Sequence, residues 1–393
     1  MKKRVLIALL FLSVKLIFAQ DFKLDAGKIV QREYLEVIDF ELLHGKIIIP
    51  VIIEGQSYRF LLDTGAPNII SKRLATVFNS SKKKELDVVD VNNLNEKMDI
   101  VPIPSIHLGS LRFENGVAIV VDLDNHPILQ CFKLDGFIGS NFFKDAVLQV
   151  DFPAKKIRIA HTIKSLSPIS KSGSLQLIGK QMAPFIQVKH ENEKGDKGSE
   201  FALLDTGMEG LYDLSDRIYT EFQKDAIIKT VAESKGVTEL GLFAKTEPTP
   251  YRYVAINQMQ INNTKFKGLQ VLTTADANSR VGLELFQYGK ITLDFHKKKW
   301  YYEAPTEINF TQSLPPITPT IIDNKLVVGV IWDTQYNNQL QFGNPITRID
   351  EYRMENLSVC EILAIKNQIK MRTHYEIEIK NNAGETVLIK MKK

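Results

Sequence analysis

Short apolar runs bounded by turn residues recur along this chain and predict a mainly β protein. The run Gly45–Ile53 predicts a strand, Glu54–Ser57 a turn, and Tyr58–Leu62 the returning strand. Later in the chain, Pro184–Val188 and Phe201–Leu204 repeat this pair of strands around a longer polar loop. The pattern therefore indicates one hairpin unit that is used twice.

Two stretches rich in proline, serine and glycine divide the chain into three units. Ser165–Gly173 separates a first lobe, residues 21–164, from a second lobe, residues 174–304. Pro305–Pro319 separates the second lobe from a C-terminal unit, residues 320–393. The sequence of this last unit predicts strands, one helix and a terminal hairpin, and it does not share the repeat.

The tripeptide Asp-Thr-Gly occurs twice, at Asp63–Gly65 and Asp205–Gly207, each time after an apolar run. The aspartates are 205 − 63 = 142 positions apart, and the glycines of two later matching blocks are 282 − 139 = 143 apart. A fixed order of blocks at a nearly constant offset indicates an internal duplication. The matching blocks are Phe60–Gly65 with Ala202–Gly207, Leu108–Phe113 with Ile261–Phe266, and Phe137–Phe143 with Arg280–Phe286.

A duplicated unit can bring Asp63 and Asp205 face to face across a pseudo-twofold axis. Two carboxylates within hydrogen-bond distance cannot both ionise easily, so they share a proton. Such a pair can deprotonate a water and protonate a carbonyl, which suits amide hydrolysis without a metal or a covalent intermediate. Glycine permits close backbone approach and threonine hydroxyls can lock two loops together. The supporting residues in the two motifs are Thr64, Gly65, Thr206 and Gly207.

The blocks Leu61–Ala66, Leu203–Gly207, Phe137–Gly139 and Arg280–Gly282 resemble those of pepsin-like and retropepsin-like aspartic peptidases. The similarity spans Phe22–Glu303. It implies a bilobal acid-protease fold with a cleft between the lobes, in which the apolar-apolar-Gly block packs behind the catalytic loop of each lobe. It further implies a peptide or protein substrate and no cofactor. Because both half-sites lie in one chain, a monomer would suffice.

The resemblance also implies roles for individual residues. Asp63 and Asp205 would form the catalytic dyad, while the threonine and glycine of each motif would support the loops. A flap would fall in Asp87–Val101, where a retropepsin-like flap is the better match because no flap tyrosine stands there.

Met208 departs from the pattern, because the family usually has a small residue there, as Ala66 is in the first lobe. Met208 and the following Glu209 could reshape the cleft or perturb the dyad. An alternative reading is therefore a catalytically inactive peptide-binding or scaffold protein of the same fold. The separation of the two carboxyls distinguishes the alternatives.

The N-terminus has the pattern of a signal peptide over residues 1–20. Lys2–Arg4 precedes the apolar run Val5–Phe18, and Ala19 provides a small residue for cleavage. We therefore expect an exported protein, periplasmic or extracellular and of bacterial type. The later sequence contains no run that is apolar enough to predict a membrane span.

Charge gives no reason to expect nucleic acid as a partner. The predicted signal peptide carries Lys2, Lys3, Arg4 and Lys15 and no acid, so the rest of the chain has 50 − 4 = 46 basic and 46 acidic residues. A balanced chain lacks the basic excess that binds a phosphate backbone.

The cysteines and histidines predict neither a metal site nor a disulfide. Cys131 and Cys360 are far apart and fall in different units, so we expect no disulfide between them. The seven histidines show no spacing typical of metal ligands.

The C-terminal unit resembles a PDZ domain, chiefly through Phe342–Asp350. Asn344 stands where bacterial peptidase PDZ domains usually have an aspartate, and Glu351 stands where a glycine is expected. No Gly-rich carboxylate-binding loop precedes the predicted strand Lys325–Ile331. Peptide binding and a packing role are equally compatible with this sequence.

Overall fold

The computed structural model describes residues 23–78, 83–90, 94–166, 171–238, 241–243, 247–311, 313–369 and 372–392. The predicted signal peptide, residues 1–20, lies outside this part of the chain. Within it, no helix is both long and apolar enough to cross a membrane.

The first lobe consists of short strands, one helix and 3₁₀ turns. Its elements are β1 (Lys28–Ile29), β2 (Leu35–Asp39), β3 (Glu41–Leu43), β4 (Lys46–Ile53), β5 (Gln56–Asp63), β6 (Ile69–Ser71), α1 (Lys72–Val77), β7 (Lys84–Val89), β8 (Asn95–Pro102), β9 (Ile106–Leu108), β10 (Leu111–Glu114), β11 (Val117–Val121), β12 (Gly136–Gly139), β13 (Val147–Asp151) and β14 (Lys156–Ala160), with 3₁₀ turns at Leu129–Phe132, Ser140–Phe143 and Ile163–Ser165.

The second lobe repeats this composition with longer strands. Its elements are β15 (Gly173–Ile178), β16 (Ala183–Glu191), β17 (Lys197–Leu204), β18 (Tyr212–Ser215), α2 (Asp216–Lys224), β19 (Lys229–Gly236), β20 (Thr249–Ile261), β21 (Thr264–Thr274), β22 (Arg280–Val281), α3 (Glu284–Gln287), β23 (Lys290–Asp294), β24 (Lys299–Glu303) and β25 (Glu307–Asn309).

The C-terminal unit is a small α+β domain. It comprises β26 (Ile317–Ile322), β27 (Lys325–Ile331), a 3₁₀ turn (Thr334–Tyr336), β28 (Ile346–Ile349), β29 (Tyr352–Arg353), α4 (Val359–Ile369), β30 (His374–Lys380) and β31 (Thr386–Lys392).

The strand topology confirms the internal duplication. β5 pairs in parallel with β12, β12 pairs antiparallel with β6, and β6 pairs in parallel with β11. β17, β22, β18 and β21 repeat the same order and the same directions in the second lobe. Each unit then places a helix, α1 or α2, after its third strand, and a serine side chain caps each helix N-terminus. The prediction of a mainly β, bilobal fold is confirmed.

A sheet shared by the two lobes joins them back to back. β13 of the first lobe pairs antiparallel with β23 of the second. On the first-lobe side the sheet continues through β14 to β2, and on the second-lobe side through β24 to β15. At the centre, Gln149 Nε2 donates to Thr292 Oγ1 over 2.9 Å, and both side chains are buried. One apolar core continues through this sheet into both lobes. The shared sheet therefore fixes the position of one lobe relative to the other.

The C-terminal unit is attached to the body by more than its linker. Within the predicted linker, β25 adds to the second lobe as a parallel neighbour of β21, and the Phe310 ring packs against Phe266 and Tyr288. Beyond the linker, the N–H of Val237, the residue after β19, donates to Gly329 O in β27 over 3.1 Å.

Cys131 and Cys360 form a disulfide, so the expectation that they would not pair was wrong. Cys131 lies in the 3₁₀ turn Leu129–Phe132 of the first lobe and Cys360 in the first turn of α4. Their Cα atoms are 5.1 Å apart. The two residues are 229 positions apart in sequence, and only the docking of the C-terminal unit on the first lobe brings them together.

Candidate active site

Both motif aspartates lie where a buried strand ends against a parallel neighbour. Asp63 is the last residue of β5 and is paired in register with Gly139 of β12. Asp205 directly follows β17, and its N–H donates to Val281 O of β22 over 2.8 Å. The apolar runs before the motifs are the central strands of the two lobes, so each aspartate stands at the end of a rigid element.

The two threonines lock the loops together across the lobe boundary. Thr64 N donates to Thr206 Oγ1 and Thr206 N donates to Thr64 Oγ1, each over 3.0 Å. The Thr64 hydroxyl in turn donates to Leu204 O over 2.6 Å, and the Thr206 hydroxyl donates to Leu62 O over 2.8 Å. Both threonines are fully buried. These four hydrogen bonds form a symmetric network that holds the two aspartates at a fixed separation.

The carboxyl groups of Asp63 and Asp205 lie close enough for each to crowd the glycine of the opposite motif. Asp63 Oδ1 also accepts from Gly65 N over 2.9 Å, and Asp205 Oδ1 accepts from Gly207 N over 2.8 Å. The two loops therefore hold their carboxyls by equivalent contacts, as a pseudo-twofold axis between them requires.

The absence of a side chain at Gly65 and Gly207 allows this approach. A Cβ added to Gly65 would lie 2.7 Å from the Asp205 Cγ atom, and one added to Gly207 would lie 2.5 Å from Asp63 Oδ2. Real Cβ atoms essentially never come within 3.0 Å of such neighbours. Each glycine therefore makes room for the aspartate of the opposite lobe.

The pKa of Asp63 is raised to about 8. The largest cause is burial, which disfavours the charged carboxylate, followed by the negative charge of Asp205 and the hydrogen bond to it. The ammonium group of Lys46 and the Gly65 N–H act in the opposite direction. Burial and the neighbouring carboxyl therefore both favour the protonated form of Asp63.

The later apolar blocks lie behind the loops, as the sequence predicted. A Cβ on Gly139 would come within 2.3 Å of the Pro67 carbonyl carbon, and one on Gly282 within 2.3 Å of Gly210 O. In the first lobe, Gly139 N also donates to Asn68 Oδ1 over 2.9 Å. Each block thus supports its loop from the side opposite the other lobe.

Met208 does not fill the space between the two carboxyls, each of which lies against the glycine of the opposite motif. Its side chain is buried, and its Cγ lies beside Gly282, where an added Cβ would be only 2.9 Å away. Met208 therefore fills space next to the supporting block of the second lobe.

Each lobe carries a long hairpin, and the two hairpins meet. The flap expected at Asp87–Val101 corresponds to the β7–β8 hairpin, although residues 91–93 at its tip lie outside the described part. In the second lobe, the loop after β19 reaches across, where Phe243 N donates to Asp90 Oδ2 over 3.2 Å. Gly241 O contacts His126 Nε2 at 3.1 Å. The β7–β8 hairpin of the first lobe is therefore in contact with the loop after β19 of the second lobe.

Sequence reasoning did not single out Lys46, which lies beside the dyad. Its Nζ donates to Gly207 O in the loop of the opposite lobe. In the sequence, Lys46 is only a basic residue at the start of a long apolar run. Because basic residues are common at strand ends, this position did not indicate a functional role.

The described residues contain no group of three or more His, Cys, Asp or Glu side chains that could hold a metal ion. The arrangement at the lobe boundary can instead bind and polarise a water and a carbonyl through two carboxyls that share a proton.

Comparison with known proteins agrees with this geometry. Residues 49–142 match the family model described as an aspartyl protease. The matched region runs from β4 through Asp63 to the supporting block of the first lobe. No curated protein matches the chain.

Solved structures that resemble this chain include three at low identity. An aspartic proteinase from Irpex lacteus is 12% identical, covering 69% of this chain and 97% of that chain with a TM-score of 0.39. Basic 7S globulin from soybean is 10% identical, covering 69% and 95% with a TM-score of 0.42. A retropepsin-like aspartic protease from Rickettsia conorii is 18% identical, covering 34% and 96% with a TM-score of 0.26.

Replacing Gly207 by Ala is expected to lower kcat/KM for peptide hydrolysis about a hundredfold, because the new Cβ must displace the Asp63 carboxyl. The matched control is Gly210→Ala in the same loop, where the nearest atom to the new Cβ is the flexible Met208 Cε at 3.2 Å. Activity and thermal unfolding are measured for both. Equal activity of the two variants would contradict the close approach of the carboxyls.

Proposed function

We propose that this chain is an exported aspartic endopeptidase, with Asp63 and Asp205 as its catalytic residues. The observation that carries the proposal is the close approach of two carboxyls, each held by an equivalent loop from one lobe. An inactive scaffold would have no need to bury two carboxyls side by side, since burying like-charged groups costs stability.

The proposal gives each carboxyl a role. A water held between them loses a proton to Asp205 as its oxygen attacks the carbonyl carbon of the peptide. At the same time, Asp63 donates its proton to the carbonyl oxygen, giving a neutral tetrahedral diol. Asp205 then passes its proton to the amide nitrogen, the C–N bond breaks, and one diol hydroxyl returns a proton to Asp63. The pair ends with one proton, as it began.

The test is hydrolysis of an unfolded protein by the purified chain from residue 21 onward. A statine-type mimic of the tetrahedral diol should abolish cleavage, because it places a hydroxyl between the carboxyls, whereas a chelator should have no effect. Cleavage that resists the mimic and stops with the chelator would contradict the proposal. Saturable peptide binding without cleavage would favour the alternative, an inactive peptide-binding protein.

Export to an oxidising compartment is part of the proposal. It rests on the signal-peptide pattern of residues 1–20 and on the disulfide between Cys131 and Cys360, since disulfides persist mainly outside the reducing cytosol. A periplasmic or extracellular location follows. Both half-sites belong to one chain, so we propose a monomer as the active form.

For the C-terminal unit we propose a PDZ-like domain whose main role is packing. The face formed by β26 and α4 is occupied by the first lobe, where Ile128 and Cys131 pack against Ile321, Val359 and Ile362. An added peptide strand would have to displace these contacts.

A further inference from the structure

Lys46 is placed beside the dyad by a two-residue hairpin turn. β3 and β4 are joined by His44 and Gly45, and both have positive φ, 45° and 72°. This is the type I′ geometry that suits a two-residue hairpin. The turn makes Lys46 the first residue of β4, from where its half-buried side chain crosses the lobe boundary to donate to Gly207 O.

The second lobe has no lysine at the equivalent position. Ile48 of β4 and Phe185 of β16 each pair with the leucine two residues before a motif aspartate. Two residues before Ile48 and Phe185 stand Lys46 and Ala183, respectively. The environment of an otherwise symmetric dyad is therefore asymmetric, with a cation contributed from the first lobe.

Other charged groups surround Lys46. Glu209 follows the second motif, and its carboxylate lies beside Gly45, where an added Cβ would be 2.8 Å from Oε1. Lys366 of α4 pairs with Glu209 at 3.8 Å. Asn367 Nδ2, also in α4, lies within hydrogen-bond distance of His44 Nδ1. The Asp63 carboxyl is near enough for the charge of Lys46 to act on it.

We propose that Lys46 is a positioning residue, whose ammonium holds the Gly207 loop in place and sets the upper pH limit of hydrolysis by easing loss of the proton that the dyad shares. The inference rests on the proposed function. In this proposal Lys46 does not transfer a proton to or from the substrate. Its tether acts on loop geometry, and its charge acts on the dyad.

The direction of the pH effect follows from the charge. The active dyad holds one proton, so activity falls as pH rises through the upper pKa of the pair, about 8 for Asp63. A nearby cation favours the ionised carboxylate and keeps this pKa lower than it would otherwise be. Removing the cation must raise the pKa, and the basic limb of the profile must move to higher pH.

The experiment compares Lys46→Met, which keeps the length of the side chain, with Lys46→Arg, which keeps the charge. In the Met variant, the basic limb of the kcat/KM profile is expected to move up by roughly one pH unit. The kcat at the optimum is expected to fall about tenfold, because the tether to Gly207 O is lost. The Arg variant should restore the wild-type limb. The matched control is Lys189→Met, an exposed lysine on the equivalent strand β16.

A second measurement does not require activity. The Asp63 carboxyl is titrated by NMR in chains with ¹³C-labelled aspartate, and its pKa should be higher in Lys46→Met and in Lys46→Gln than in the wild type or the Arg variant. Unchanged pKa values and an unmoved limb would overturn the inference for Lys46 while the peptidase stands. Absence of cleavage by the wild type would instead overturn the proposed function, and the titration would still test the charge effect.

Discussion

Replacement of Asp63 or Asp205 by Asn is expected to lower kcat/KM at least about a thousandfold, because either change leaves a single carboxyl that cannot act as base and acid together. The fold should persist. An Asn side chain keeps an oxygen that can accept the Gly65 or Gly207 N–H, and the threonine network between the loops does not involve the carboxyls.

Combining the two changes should cost little more than either one alone, since the carboxyls act as a unit. The matched control is Asp39→Asn, an exposed aspartate of β2 whose partner is Lys156. Removing a surface ion pair of this kind should leave activity and thermal unfolding almost unchanged. If Asp63→Asn or Asp205→Asn kept near-normal activity, the dyad would not be the catalytic centre.

The centre of the site could be predicted from the sequence because it is duplicated. Asp63 and Asp205 stand in equivalent positions of two matching units, and a pseudo-twofold axis brings equivalent positions together. The supporting roles of Gly139 and Gly282 came from the resemblance to aspartic peptidases, which the duplication revealed. Each prediction depended on local sequence and on symmetry, which one chain displays by itself.

Contacts that break the symmetry could not be predicted in this way. Lys46 reaches the dyad from a strand end with no lysine at the equivalent place in the second lobe, so the repeat gave no signal for it. The disulfide joins Cys131 to Cys360 in a unit outside the repeat. Both contacts depend on how separate units dock, and docking is determined by surfaces whose residues are scattered along the sequence.

The composition of the linker did not predict the contacts that it makes. Pro305–Pro319 has the composition of a spacer, yet β25 pairs with β21 and Phe310 enters an aromatic cluster of the second lobe. A short strand can pair with the edge of a sheet even when prolines flank it in the sequence, because the prolines lie outside the paired residues. Composition alone does not reveal such an addition.

Replacing both Cys131 and Cys360 by Ala is expected to lower the free energy of unfolding by about 2–4 kcal/mol. The disulfide closes a loop spanning 229 positions, so its main effect is to restrict the unfolded chain. Thermal unfolding of the double variant should match that of the wild type after reduction. If the oxidised wild type were no more stable than the double variant and the reduced wild type, the disulfide would have no stabilising role.

The loss should extend to the active site, because α4 also contacts the neighbours of the catalytic loops. Beyond Cys360, the helix continues to Lys366 and Asn367, which bind Glu209 and His44. The apolar contacts around Ile128 remain in the double variant, so the unit should stay docked but hold these contacts less firmly. We therefore expect a severalfold fall in kcat/KM at temperatures well below unfolding. A variant that is less stable but fully active at low temperature would show that the C-terminal unit braces the fold without positioning the catalytic loops.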